Sequence, residues 1–509
     1  MKRIGIVDLG SNSVRMSIIR VEEDHSYHMI EQAKSMVRLS EGMSEEANLS
    51  PQAMERTKSA LSMFKKLAGV HQVDEIRAVA TAAVRQAKNR DVFLDLVREE
   101  TDWELQVISG EKEAYYDYLG VVNTLPLKDF VLMDIGGGST ELAWIENRQL
   151  KHAVSLPLGA VLLTESYFPE GDVTQKGIKK AMARFDQALD EIEWLNQAKG
   201  LPIVGLGGTW RSIAKLDRYA TRNSIQRIHG YTLNRKETLE WVEDLWEMTR
   251  KERAKAKGIS DARAEVIVGG IIPIERAIKR LMPQEVVISG NGVREGLFYE
   301  AYFTMMEKPI IVENVLSHSL SNIVKRYDEN DHHLEQLDRL TRVIFDALES
   351  VYHFSERDSQ LLTAAIRLHD IGMRIDYFNH QDHSFYLALN TNVYGLSHRE
   401  LVQVAWIAGS HRVDRKLHQS ARHYSGYMNG DEKQRVEQLS TILMIAEQLD
   451  RAEDGRVTSF GARVTDRSLI LSVGSQEAVD LEIVSARRAS LAFRKAYRRT
   501  LLIKRSEFI

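Results

Sequence analysis

Two eight-residue segments, 126 residues apart, align position for position. Asp8-Leu9-Gly10-Ser11-Asn12-Ser13-Val14-Arg15 and Asp134-Ile135-Gly136-Gly137-Gly138-Ser139-Thr140-Glu141 share a pattern. Each opens on Asp and carries Gly two residues on, Ser five on and a charged side chain seven on. Small residues let backbone N–H groups close around an anion, and Ser and Asn add further donors. Two such turns facing each other would clamp a chain of phosphates. Asp8, Gly10, Ser11, Asn12 and Ser13 would line one side, and Gly136, Gly137, Gly138 and Ser139 the other. Arg15 and Arg85 are the leading guanidinium clamps, because guanidinium bonds phosphate in a bidentate fork and always carries charge. Arg38 and Arg294 are weaker candidates. Asp134 and Glu141, returned to one pocket by the glycine turn, form a carboxylate pair suited to Mg²⁺, which keeps several waters and shares phosphate oxygens. A third glycine-rich turn, Gly207, Gly208 and Thr209, is read as the far side of the same phosphate channel.

The elements that must hold these residues follow from the pattern. Each repeat is preceded by an apolar run (Ile4 to Val7, Phe130 to Met133) and followed by another (Met16 to Ile19, Leu142 to Ile145). That is strand, glycine turn, strand, used twice. Leu39 to Gly42 reads as a turn. Pro51 to Leu67 reads as an amphipathic helix behind Ser50. Ile76 to Ala80 is a short strand, Asp91 to Glu100 a helix, Glu104 to Ser109 a strand and Glu111 to Leu119 a helix. Beyond the polar stretch around Pro126 the alternation repeats. It has a helix at Gln175 to Gln197, a strand at Pro202 to Gly205, a helix at Lys236 to Lys257, a strand at Glu285 to Ser289 and a helix at Arg294 to Met306. After Pro309 the chain reads as almost all helix to about Ala452, which argues for a separate α domain. Strands are then expected at Ala462 to Val464, Leu469 to Val473 and Val479 to Val484, with a helix at Ala489 to Ala496. Four domains are expected: 1–125, 126–308, 309–455 and 456–509.

Composition sets the outer limits. Of 509 residues, 43% are apolar and 28% charged, ordinary values for a globular protein with several cores. The absence of cysteine excludes disulfides, thiolate metal sites and cysteine nucleophiles. The uncharged run Val266 to Ile274 is too short to span a bilayer. With a strand at the very start and no leader pattern, a cytoplasmic location is expected. The net charge of −4 hides an asymmetry, because Arg487 to Arg505 holds eight Lys/Arg and no acid. A basic tail that includes Arg494, Lys495, Arg498 and Arg499 suits a polyanionic partner, or is a solvated helix face.

The paired Asp-Gly loops resemble the exopolyphosphatase / guanosine pentaphosphate phosphohydrolase family. The likeness extends through Thr81-Ala82-Ala83-Val84-Arg85, Ser109-Gly110-Glu111-Lys112-Glu113-Ala114, Gly205-Leu206-Gly207-Gly208-Thr209 and Gly292-Val293-Arg294-Glu295-Gly296, nearly the whole chain in the family's long form. It implies a duplicated actin-like (ribonuclease H-like) α/β core in two lobes, then an all-α His-Asp-type domain and a small α/β piece. It implies Asp134 and Glu141 in a Mg²⁺-dependent cleft and Glu113 as the general base that orients the attacking water. Lys112 stands where the family's first Glu is usual, which removes a neighbouring carboxylate from that base. The expected activity is release of terminal orthophosphate from inorganic polyphosphate. Guanosine pentaphosphate 5′-phosphohydrolase activity, a kinase-like ATPase and a non-catalytic polyphosphate or alarmone sensor are the alternatives, with guanosine tetra- or pentaphosphate as the alternative partner. A homodimer is expected.

The helical region carries His333, the adjacent pair His369-Asp370, and Asp450, with His380, His383 and His411 nearby. That order resembles the ligand set of His-Asp phosphohydrolases and implies one transition metal; the alternative is an inherited scaffold without metal. Neutral imidazoles with carboxylates suit Mn²⁺, Fe²⁺ or Zn²⁺.

Overall fold

The computed structural model describes residues 1–41, 43, 47–168, 173–327, 329–413, 417 and 419–506. Gly42, at the end of the expected Leu39–Gly42 turn, lies outside them. The chain divides into two compact units, Met1–Val315 and Leu316–Ile509.

The first unit holds two sheets. One comprises β1 (Lys2–Leu9), β2 (Ser13–Val21), β3 (Tyr27–Met36), β4 (Glu75–Ala80) and β5 (Leu105–Val107), in the order β3-β2-β1-β4-β5. The other comprises β6 (Phe130–Ile135), β7 (Thr140–Glu146), β8 (Gln149–Leu156), β9 (Ile203–Leu206), β10 (Tyr231–Asn234) and β11 (Glu285–Ile288). Its order, read from the opposite edge, is β8-β7-β6-β9-β11, with β10 added outside. Each sheet therefore has an antiparallel meander of three strands followed by two parallel neighbours. The motif repeat in the sequence is thus a repeat of topology, the duplicated actin-like architecture. Strands β1 and β6 sit inside their sheets, and Ile4, Ile6, Val7, Val131, Leu132 and Met133 are buried. That covering is why both read as unbroken apolar runs.

Helices form where local sequence supports them. Pro51–Val70 starts at Ser50, whose hydroxyl accepts the Ala53 N–H at 3.3 Å, and buries Leu61 and Phe64 in the first core. The helix Gly110–Val122 follows β5 and Val293–Met305 follows β11, equivalent places in the repeat. These two helices pack together at close range. A Cβ on Gly120 would collide with the Gly292 carbonyl oxygen, and one on Gly296 with that of Tyr116. Val293–Met305, expected with the second lobe, also packs on β1 of the first.

The helix expected over Lys236 to Lys257 is two, Arg235–Glu247 and Arg250–Lys255. Thr249 caps the second: its hydroxyl accepts the Glu252 N–H and the Glu252 carboxylate accepts the Thr249 N–H. The apolar run Val266 to Ile274 lies inside the long helix Asp261–Leu281, buried in the second core.

The second unit is helical from Val315–Tyr327 through Gly430–Leu449, then forms a three-stranded sheet of β12 (Ser459–Val464), β13 (Ser468–Gly474) and β14 (Thr500–Arg505), in that order. The strand expected at Val479 to Val484 is instead the start of the helix Asp480–Arg487. Val479, Ile483 and Ala486 are buried while Leu481 and Val484 are exposed, a helical spacing inside an apolar run. The basic tail ends as β14, with Leu501 and Ile503 buried beside β13. No helix among the described residues is long and apolar enough to cross a membrane.

Candidate active site

The two repeats build matching corners. Asp8 lies opposite Arg15 on the β1–β2 pair, and Asp134 opposite Glu141 on β6–β7. Directly opposed residues of an antiparallel pair share a face, so each turn sends its first and last side chains the same way. Both turns close with the same bond: Gly10 N–H to Ser13 O at 3.1 Å, and Gly136 N–H to Ser139 O at 3.0 Å. The chemical difference is at the last position, a cation in one lobe and an acid in the other.

The loops Gly10–Ser13 and Gly136–Ser139, with Gly207 and Gly208, line one cavity of about 160 Å³. Asp8, Asp134 and Glu113 reach it, and so do four cations, Arg15, Lys34, Arg211 and Arg263. Lys34 stands beside Arg15 in the β2–β3 register. Arg211 is one turn into the Gly207–Ala220 helix, its Nε–H donating to Gly207 O at 3.0 Å. Gly207 has φ +91°, and a Cβ there would lie 2.7 Å from Asp134 Oδ1 and collide with Ile135 O. A Cβ on Gly208 would overlap the Arg263 guanidinium. Glycine at both positions lets backbone and cation approach the cleft.

Sequence reasoning missed Lys34, Arg211 and Arg263. Arg211 had a signal, four residues after Gly207 on a helix opened by a glycine turn; Lys34 is brought in by the β2–β3 register and Arg263 by tertiary packing. Four expected contacts go elsewhere, and Glu141, fully buried, is not among the side chains that line this cavity. Thr209 is fully buried and packs against Gly270, away from the cavity. Arg38 pairs with Glu41 at 3.7 Å. Arg85 does not line the cavity: its Nη1–H groups bond Glu113 Oε2 at 3.1 Å and Ile108 O at 2.9 Å, so it holds the proposed base and not a phosphate. Arg294 is buried, donates to Ser17 Oγ at 3.0 Å and lines a small chamber of about 80 Å³ beside the cleft. Asp117, one turn beyond Glu113, lines that chamber too.

Five carboxylates are concentrated here. Burial, then the charge of Glu141, lifts Glu113 well above the usual carboxylate range, against the pull of Arg85. Burial lifts Asp117 likewise, with Asp134 adding to it. Burial takes Asp134 to about 6 although Arg211 opposes it. Glu141 is pushed to about 7 by burial and by Asp134, although Ser155 Oγ donates to its Oε1 at 2.7 Å. Asp8 is raised by burial, opposed by Arg294 and Arg15. Burial, then the nearby charge of Arg15, lowers Arg211 and Arg263 to about 10. Both oxygens of Asp117, Oδ1 of Asp134 and Oε2 of Glu141 are buried without a hydrogen-bond partner among the described residues. Buried anionic oxygens left unpaired are costly, and a hard cation with oxygen ligands satisfies them. The donor set therefore fits Mg²⁺.

The second unit holds a separate cluster. His333, on the helix Asp331–Tyr352, faces Glu447 Oε2 through Nε2 at 3.2 Å. His369 Nε2 lies 3.4 Å from the same oxygen and 3.5 Å from Asp370 Oδ2. His380 and His411 each place Nε2 3.5 Å from Asp370 Oδ1. Asp450 is not among the converging groups. Its Oδ2 bonds His333 from behind, at Nδ1, 2.7 Å away, and its Oδ1 accepts the Gly455 N–H. Asp450 thus orients a ring whose free nitrogen faces Glu447, a residue the H…HD…D order does not contain. Burial opposes charge on His333, but Asp450 and Glu447 outweigh it and hold the ring at about 10. His411, fully buried, is pushed down to about 4.

A duplicated actin-like core whose two glycine loops and four cations enclose a polar cleft with buried carboxylates is a hydrolase of phosphoanhydrides. The chain belongs to the Ppx/GppA phosphatase family, whose model matches residues 17–304. The model of that family's domain III matches residues 315–484. Among solved structures, the family member from Aquifex aeolicus is 30% identical with a TM-score of 0.52, covering 60% of this chain and 98% of its own. An exopolyphosphatase from Cytophaga hutchinsonii is 25% identical with a TM-score of 0.56, covering 61% of this chain and 100% of its own.

Proposed function

We propose that the chain is an exopolyphosphatase that removes terminal phosphate from inorganic polyphosphate with a Glu113-oriented water and Mg²⁺. The observation that carries this reading is the lining of the cleft. Glycine loops, hydroxyls and cations line it, and no aromatic side chain does among the described residues. Such a lining recognises phosphate oxygens and offers no stacking platform for a base. The Cytophaga hutchinsonii exopolyphosphatase supports the same choice.

The roles follow from position. Gly10–Ser13 and Gly136–Ser139 present N–H and hydroxyl groups to successive phosphates, while Arg15, Lys34, Arg211 and Arg263 balance their charge. Asp134 and Glu141 would hold Mg²⁺, which when bound neutralises phosphate oxygens as charge moves to the leaving group. Glu113, anchored by Arg85, accepts the proton of the water that attacks the terminal phosphorus in line. The P–O bond to the next phosphate then breaks.

The deciding experiment compares orthophosphate release from long polyphosphate and from guanosine pentaphosphate at matched enzyme and Mg²⁺. Preference for polyphosphate, with chains shortening from their ends, is expected. Preference for the nucleotide, or early mid-length fragments, would overturn the reading.

A further inference from the structure

The chamber behind the cleft carries groups that the proposed hydrolysis does not use. Its volume is about 80 Å³, and Asp8, Arg15, Asp134 and Arg211 line both spaces, so the two are continuous. It has room for one small tetrahedral ion and not for a run of phosphates. Ser289, Asn291, Arg294 and Asp117 line the chamber alone. The loop that carries the first two is held by its own bonds: the Ser289 hydroxyl donates to Asn291 O at 2.6 Å and accepts the Asn291 N–H at 3.1 Å. The Asn291 side chain takes no part, and its Nδ2 is buried without an acceptor among the described residues. Asp117 comes from the helix Gly110–Val122 and is fully buried. Neither of its oxygens has a donor among the described residues. Gly292 faces it, and a Cβ there would lie 2.7 Å from Asp117 Oδ1. The acids around it are answered. Asp8 lies opposite Arg15, and Glu295 Oε2 accepts the Gly292 N–H at 2.9 Å. Asp134 and Glu141 carry the proposed Mg²⁺, so Asp117 needs a partner of its own.

Arg15, Arg211 and Arg294 call for an anion, while Asp117 calls for a donated hydrogen. A metal ion would satisfy Asp117 and repel the guanidiniums. Among the described residues, moreover, Asp117 belongs to no group of three ligand side chains whose atoms lie within 4.8 Å of one another. An anion that carries a hydroxyl satisfies both demands. Orthophosphate keeps at least one P–OH near neutral pH, whereas sulfate and the inner phosphates of a chain have none. We propose that the chamber is a product site for orthophosphate, with Arg294 and Asn291 donating to its oxygens and Asp117 accepting its P–OH. It rests on the release of orthophosphate, which polyphosphate and guanosine pentaphosphate both supply, and so not on the choice between them. A site built to bond a hydroxyl rejects an analogue without one, because the buried acceptor is then left unpaired. The chamber should therefore tell phosphate from sulfate.

Equilibrium dialysis of the full chain with radiolabelled orthophosphate, without and with saturating sulfate, tests the site in the absence of substrate. Sulfate should clear phosphate from the cleft and leave one equivalent per chain bound. In Asp117→Asn, whose amide can donate to either anion, sulfate should displace that equivalent too, the preference for phosphate falling by roughly tenfold or more. Phosphate binding without sulfate shows that the variant is folded. Complete displacement by sulfate in the unmodified chain would overturn the site, and that result stands even where the variant folds poorly. A retained equivalent that Asp117→Asn leaves resistant to sulfate would overturn the role of Asp117. Product inhibition tests whether the site fills during turnover. Orthophosphate should lower kcat at saturating substrate, because the chamber is occupied while the cleft holds the next chain, and sulfate should only raise KM. Purely competitive inhibition by both ions would overturn the product site.

Discussion

In the proposed mechanism Glu113 and Arg85, joined by a hydrogen bond of 3.1 Å, act as a pair. Glu113→Gln removes the proton acceptor but keeps the shape, so kcat should fall by roughly 10²–10⁴-fold while polyphosphate binding persists. Single-turnover rates and a binding isotherm measured on one preparation separate the two effects; near-normal turnover would move the base elsewhere. The base works only when ionised, so activity should rise as pH passes upward through the Glu113 pKa, which burial and Glu141 hold high. Arg85 lowers that pKa through its charge and hydrogen bond. Arg85→Ala should therefore move the acid limb of the kcat profile to higher pH. A phosphate clamp would instead raise KM and leave the limb in place.

At the scale of elements, function rests on turns that admit no side chain. Gly207 joins β9 to its helix at φ +91°, directly behind Asp134. Gly207→Ala should destabilise the first unit by about 1–3 kcal/mol, because the left-handed backbone and the collision with Ile135 O must both relax. The shift also displaces Asp134, so the Mg²⁺ concentration for half-maximal rate should rise; denaturant unfolding and a Mg²⁺ titration read the two effects. The tail is a second element with a divided role. Arg499 Nε donates to Thr465 O at 2.9 Å and its guanidinium also bonds the Tyr352 hydroxyl, so it supports the small sheet. Arg494, Lys495 and Arg498 are exposed, Lys495 pairing with Glu437. If the tail holds polyanion, neutralising those three and keeping Arg499 should weaken long-chain binding and flatten its salt dependence. Chains short enough to be held by the cleft alone should bind as before. An unchanged salt slope would leave the basic run as a solvated face.

For the molecule as a whole, the buried acids link stability to pH and to metal. Asp134 and Glu141 are raised in the folded state, to about 6 and about 7. The folded chain then holds more protons than the unfolded one, so this contribution is fully present below pH ~4 and is lost as pH rises through those values. Without metal, the melting temperature of the first unit should fall between about pH 4 and 7. If Mg²⁺ binds the ionised pair as proposed, it should raise melting more at pH 8 than at pH 5. Asp134→Asn with Glu141→Gln should flatten both trends. Scanning calorimetry with and without Mg²⁺ tests this, and a Mg²⁺ effect independent of pH would contradict it.

Residue spacing alone revealed the duplication, because a strand–glycine turn–strand unit is local and its chemistry is written in consecutive residues. The same locality made the carboxylates at positions 8, 134 and 141 and the helix carrying Glu113 legible. It failed where neighbours decide. Val479 to Val484 is apolar at both strand and helix periods, and burial of Ile483 and Ala486 chose the helix. The helix expected over Lys236 to Lys257 breaks in two because the Thr249 hydroxyl accepts the Glu252 N–H and starts a new one. Lys34 reaches the cleft through the register of β3 on β2, Arg263 from a distant helix, and Arg85 turns away to Glu113, because charges pair by proximity in space and not in sequence. In the helical unit the order His333, His369, Asp370, Asp450 was visible. Which nitrogen of each ring points inward, and hence the place of Glu447 and the withdrawal of Asp450, depended on which carbonyl or carboxylate the packed helices set behind each imidazole.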